Sequence, residues 1–238
     1  MKYYGNEKLF YKHLYKLFFR KKIKFCGVSN HTTSYYQKYS REKIYTIYNG
    51  LSSTNIQNIK YQYSIGFIGV MDSHKGWKYL YDAYNYLTDD LKDKVTFKFY
   101  GNILKEDCNN FKNDNNHLLY SGYSTDINLE LRKLDAIVLP SISEGLPMSL
   151  LEAMRLSKPI LATKVGGIPE MLYDGINGFI IERNPQNIAT KIEKLYSNID
   201  DYKKMAKNSY YIFNGKFQIE KIAKEYYNLY LMENKKGD

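Results

Sequence analysis

Between Ser64 and Ile181 the chain repeats one pattern, a short apolar run followed by an amphipathic stretch. The runs SIGFIGV, KVTFKFYG, HLLYSG, AIVLPS, PILAT and GFII are apolar without strict alternation, as strands covered on both faces must be. The stretches KYLYDAYNYLTDDL, DINLELRKL and MSLLEAMRLS place apolar residues three and four apart, the spacing of a helix packed on a sheet. Strands alternating with helices imply an α/β fold with a mainly parallel sheet flanked by helices.

The flanks extend the pattern. IKFCGVS reads as a strand, NHTTSYYQKYS as a helix, and IYTIYNGLS as a strand ending at the Asn49-Gly50 turn. The polar run SSTNIQNIKYQ reads as a linker. NPQNIATKIEKLYS, IDDYKKMAKNSYYIFN and FQIEKIAKEYYNLYLMEN read as three closing helices. The expected divisions are 1–60, 61–215 and 216–238.

At 238 residues and 44% hydrophobic, the chain can bury a real core. Its 35 basic and 25 acidic residues give a net charge of +10, which favours anionic partners. Nucleic acid is not expected among them, because no binding motif accompanies the charge. Cys26 and Cys108 form no CxxC pair, so neither a disulfide framework nor a metal site is expected. No segment approaches the apolar run of about 20 residues that spans a bilayer. The expected location is cytoplasmic, with peripheral contact on the cytosolic membrane face as an option. Residues 1–24, rich in lysine and aromatics, are either an interfacial membrane helix or a helix whose apolar face packs internally.

The segment AIVLPSISEGLPMSLLEAM carries the chemistry. A buried strand ends at Pro140, a loop holds Glu144 and Gly145, and a helix starts near Pro147, a residue suited to a first helical turn. In an open α/β sheet ligands bind at the carboxyl ends of the strands, where a helix start offers unpaired N–H groups to a diphosphate. Gly145 leaves the backbone open to an anion. Glu144 and Glu152 are acceptor groups that can each take paired hydrogen bonds from hydroxyls, one from a ribose diol and the other from a sugar.

EGLPMSLLE, followed by AMRLSKPILATKVGGIPEMLYDGINGFII, resembles the carboxyl-terminal domain of retaining GT-B glycosyltransferases of family 4. IGFIGVMDSHKGWKYLYDA resembles that family's first strand, Lys-Gly turn and helix, and HLLYSGY its strand before the base pocket. FQIEKIAKEYYNLY is similar to its helix that crosses back to the amino-terminal domain. The resemblance implies a Rossmann-like sheet and transfer of a sugar from a nucleoside diphosphate sugar, UDP by family habit, with retained configuration and no metal or cofactor. It places Lys75 on the donor diphosphate and Glu144 beside the transferred sugar as catalytic residues. It places Glu152 on the ribose, the backbone of Gly145 and Leu146 toward sugar and phosphates, and Tyr123, Ser124 and Thr125 along the base. Gly166 and Gly167 either approach the ligand or allow a tight turn. Glu170 is expected to cap or brace the short helix IPEML.

Two departures bear on activity. Val70 follows Gly69 where the family carries an arginine, and only the final elements of the family's amino-terminal domain are recognisable. The expectation is therefore a truncated enzyme whose acceptor site comes from a second polypeptide. The alternative is a non-catalytic or degenerate nucleotide-sugar-binding module. A dinucleotide-binding oxidoreductase is disfavoured, since no strand is followed by G-x-G-x-x-G.

Overall fold

The structure, a computed structural model, describes residues 24–55, 62–104, 107, 111 and 116–234. The 1–24 stretch considered for membrane contact lies outside them up to residue 23, as do Cys108 and residues 56–61 of the expected linker.

The amino-terminal segment contributes β1 (Phe25–Gly27), α1 (Asn30–Gln37) and β2 (Ile44–Thr46), with β1 and β2 paired in parallel. Ser29 caps α1, its hydroxyl accepting from the Thr32 N–H at 3.1 Å.

The remaining strands form one parallel sheet: β3 (Ser64–Ile68), β4 (Thr96–Tyr100), β5 (Leu118–Gly122), β6 (Ala136–Leu139), β7 (Ile160–Thr163) and β8 (Gly178–Ile181). Their order is β5-β4-β3-β6-β7-β8, with every neighbouring pair parallel. Each apolar run read from the sequence is one of these strands. The order reverses direction between β3 and β6, so the connections leave these two strands toward opposite sides and open a crevice at their carboxyl ends. Every residue of β6 and β7 is buried.

Buried Asp135 pins the opposite end of the sheet. It accepts from the backbone N–H groups of Gln62 and Ser64 and from the Tyr196 hydroxyl, all within 3.0 Å. Burial raises its pKa above the ordinary carboxylate value, and these hydrogen bonds offset only part of that rise.

After β3 the chain forms α2 (Trp77–Ala83), a 3₁₀ turn (Tyr84–Tyr86) and α3 (Asp89–Lys92), where the sequence suggested one continuous helix. Leu87 and Thr88 are extended, and a new helix starts behind Thr88 with Asp89 and Asp90 in its first turn. The Thr88 hydroxyl makes no capping bond, and the two acidic residues of the first turn favour a fresh helix start at its positive pole. Trp77 packs edge-on to Phe99 and stacks on Phe111, fastening α2 to β4.

Then come α4 (Ile127–Arg132), α5 (Met148–Arg155), α6 (Pro185–Tyr196), α7 (Ile199–Lys216) and α8 (Ile219–Asn234). α8 returns to the amino-terminal segment, where Ile222 and Leu229 pack with Ile47. Hydrogen bonds of 3.0 Å from Leu51 N to Phe217 O and from Ile219 N to Leu51 O seal that return. Among the described residues, no helix is long and apolar enough to cross a membrane.

Candidate functional site

The crevice at the switch between β3 and β6 holds a cavity of about 390 Å³. Its lining includes Gly69 and Val70 after β3, Gly101 and Asn102 after β4, Tyr123 and Ser124 after β5, and Glu152 on α5. Of the residues expected on the base and ribose, Tyr123, Ser124, Thr125 and Glu152 are therefore brought together. Burial raises the pKa of the Glu152 carboxyl, and the Arg155 guanidinium one turn along pulls it partly back. Arg155 is itself held by the Asn128 side-chain oxygen and the Ser52 carbonyl.

Lys75 and Glu144 form a second cluster, in the loops that follow β3 and β6. The ammonium of Lys75 lies 2.7 Å from Glu144 Oε1, and the Ser141 hydroxyl donates to the same oxygen at 2.6 Å. The two loops are joined at several further points. The Ile142 N–H donates to the His74 carbonyl at 2.9 Å, and His74 Nε2 lies 2.9 Å from the Ser143 hydroxyl. Asp72 accepts from the Lys75 N–H at 2.8 Å, shaping the turn. Gly76 closes it with φ of 74°, against the carbonyl oxygen of Pro140, where a Cβ has no room.

Arg183, just beyond β8, also ties these loops. It donates to the Pro140 carbonyl at 3.1 Å and to the Ser73 carbonyl at 2.7 Å, with its guanidinium over the Tyr79 ring. Neither Ser141 nor Arg183 was singled out from the sequence. Arg183 had one available signal, its place at the carboxyl end of a strand in an α/β sheet.

The glycines and Leu146 have different surroundings. Gly166, with φ of 56°, lies against the Glu144 carbonyl, and Gly167 against the Gly145 carbonyl. The Leu146 side chain is buried in the core, while its carbonyl accepts from the Asn49 side chain at 3.4 Å. IPEML forms only a 3₁₀ turn (Ile168–Glu170), and the Glu170 carboxylate bonds across to the start of α1. The expected local brace is thus a long-range one. The first N–H groups of α1 have no partner within the helix, so the carboxylate satisfies two of them and also meets the positive pole of the helix.

Residues 52–211 match the family described as glycosyl transferases group 1. The uncharacterised glycosyltransferase MJ1178 of Methanocaldococcus jannaschii is 32% identical over 208 residues, covering 84% of this chain and 57% of the relative. A second uncharacterised glycosyltransferase of that organism, MJ1069, is 29% identical over 77% of this chain and 51% of its own length. The chain thus spans about half the length of these curated relatives. In fold it is similar to Alr3699/HepE of Anabaena, a structure in complex with UDP and glucose. That likeness has a TM-score of 0.81 at 20% identity and covers 93% of this chain and 66% of that one. The six-stranded parallel sheet and the match over residues 52–211 agree, and the chain belongs to the glycosyl transferases group 1 family.

Proposed function

We propose that this chain holds a nucleoside diphosphate sugar, UDP-linked, across the switch point and transfers its sugar to an acceptor with retained configuration, as a family 4 enzyme. The observation that carries this reading is the cavity lined by Tyr123, Ser124 and Glu152 at the strand ends. A group 1 fold whose structural relatives include complexes with UDP and with UDP-glucose supports it.

In this reading Glu152 takes the ribose hydroxyls, and Tyr123 and Ser124 border the base. Lys75 meets the diphosphate, and Glu144 the sugar. The bond from the anomeric carbon to the diphosphate oxygen breaks while the acceptor oxygen bonds to that carbon on the same face. The acceptor proton passes to the departing phosphate oxygen. The Lys75 charge stabilises the negative charge gathered on the leaving diphosphate, so neither metal nor cofactor is required. In this reading the reaction takes place in the cytosol.

Titration calorimetry with UDP, GDP and ADP tests the reading. Saturable UDP binding that weakens about tenfold or more in Glu152→Ala is expected, from the loss of hydrogen bonds to a charged group. An absence of nucleotide binding at millimolar concentration overturns it.

One observation favours a second reading, a binding module without transfer activity: the exposed Val70 supplies no charge at the cavity. UDP-glucose hydrolysis that disappears in Lys75→Ala supports the enzyme, whereas binding without hydrolysis or transfer supports the module.

A further inference from the structure

Glu170 stands at the centre of a hydrogen-bond network that joins segments far apart in sequence. Its Oε2 accepts from the Asn30 N–H at 2.9 Å, and its Oε1 from the His31 N–H at 3.0 Å. The Asn30 side-chain amide and the Tyr48 hydroxyl each donate to Oε2 at 2.8 Å. The Asn30 amide also reaches the Tyr48 hydroxyl at 2.8 Å. A carboxylate with this many donors is held in place, and those donors hold its pKa below the ordinary carboxylate value despite burial.

The segment that ends in Glu170, the start of α1 and the 144–146 loop converge at Gly167. Gly166 and Gly167 have no room for a Cβ beside the carbonyl oxygens of Glu144 and Gly145, so the backbones of the two loops meet directly. The Gly167 N–H points to the Glu144 carbonyl at 3.4 Å. A Cβ on Gly167 would also lie 2.7 Å from that of Ser29, the cap of α1. The Asn49 amide contacts the Leu146 carbonyl from the same amino-terminal segment. Withdrawal of the 165–170 loop removes one support of the Glu144 backbone, beside the bonds that tie Ile142 and Ser143 to His74. Main-chain packing this close transmits a displacement instead of absorbing it.

We propose that Glu170 is a positioning residue of the donor site: by clamping the start of α1 onto the 165–170 loop, it fixes the 144–146 loop and with it the sugar end of the crevice. This rests on the donor-binding reading, in which Glu144 meets the sugar. Tyr123 and Ser124 follow β5 and Glu152 lies within α5, beyond the 144–146 loop, so the clamp acts chiefly on the sugar end. Glu170 acts through Glu144 and touches no ligand itself.

The test compares the 238-residue chain with Glu170→Gln, which keeps the shape and removes the charge, and with Glu170→Ala. UDP and UDP-glucose are the probes, titrated calorimetrically. The clamp predicts UDP affinity within about twofold of the parent and UDP-glucose affinity lower by about fivefold in Glu170→Gln, and by more in Glu170→Ala. Fivefold is the lower end of ordinary coupling between sites. A variant that loses affinity for both probes equally, or for neither, overturns the proposal, because general destabilisation does not select the sugar.

Amide hydrogen exchange on the same proteins requires no ligand. Faster exchange at Gly167 as well as at Asn30 and His31 in Glu170→Gln is expected, and unchanged exchange at Gly167 overturns the clamp. If the parent chain binds neither probe, the donor reading fails by itself, and the exchange result still decides whether Glu170 holds the loop.

Discussion

Lys75 and Glu144, 69 positions apart, meet as an ion pair of 2.7 Å between the loops after β3 and β6. The Glu144 side chain is only 8% exposed and that of Lys75 28%, so little water competes for either charge. The cation assigned to the donor diphosphate is thus already engaged by a carboxylate, and an incoming diphosphate must share it. Glu144→Gln is expected to raise affinity for UDP about fivefold by releasing Lys75, while UDP-glucose gains less because a sugar contact is lost. Lys75→Ala is expected to lower affinity for both about tenfold, and to lower Tm by leaving Glu144 unpaired. Calorimetry and a melting curve on the two variants check this. UDP affinity unmoved by Glu144→Gln places Lys75 away from the diphosphate.

Val70 offers a gain-of-function test. Its side chain lines the cavity just after β3 and is 54% exposed, so a longer side chain fits there without repacking the core. Val70→Arg adds a second cation at the strand end. Affinity for UDP should rise about fivefold, more at low salt than at high salt, since an exposed charge is screened. Uridine, which lacks the diphosphate, should show no gain, and calorimetry with the two ligands at two salt concentrations separates the cases. An equal gain for both would mean that the guanidinium packs on the base.

The sheet was legible in the sequence because strands buried on both faces leave unbroken apolar runs, and AIVLPS and PILAT are wholly buried through β6 and β7. The carboxylates of the crevice were legible because a strand, a glycine loop and a helix start follow one another within a short segment around Glu144. What could not be read shares one physical cause. The partners of Glu170 are Asn30, His31 and Tyr48, 140, 139 and 122 positions away, and Arg183 bonds to carbonyls 43 and 110 positions away. Such contacts depend on how the loops at the strand ends converge, and no local periodicity records that. The division of the 78–91 stretch was a different matter. Asp89 and Asp90 carried a helix-start signal, acidic residues in a first turn, and the longer apolar period obscured it.

Glu152 provides a test in which stability and binding move in opposite directions. Burial raises the pKa of its carboxyl above the ordinary value, with the nearby Arg155 charge offsetting part of the effect. A carboxyl that holds its proton more tightly in the folded chain than in the unfolded one makes stability fall as pH rises through the interval between its two pKa values. Stability then levels off once the group is ionised in both states. Glu152→Gln removes that loss. The variant should melt at about the parent temperature near pH 4 and above it near pH 8, with the gap opening as the parent's carboxyl ionises. The same substitution should weaken UDP binding about tenfold, because an amide offers one acceptor oxygen in place of two charged ones. Melting curves across the pH range and titration with UDP check both halves. A higher Tm with weaker binding identifies a carboxylate kept for its ligand at a cost to the fold. A lower Tm at every pH would mean instead that Glu152 serves chiefly to hold Arg155, whose other bonds reach Asn128 and Ser52.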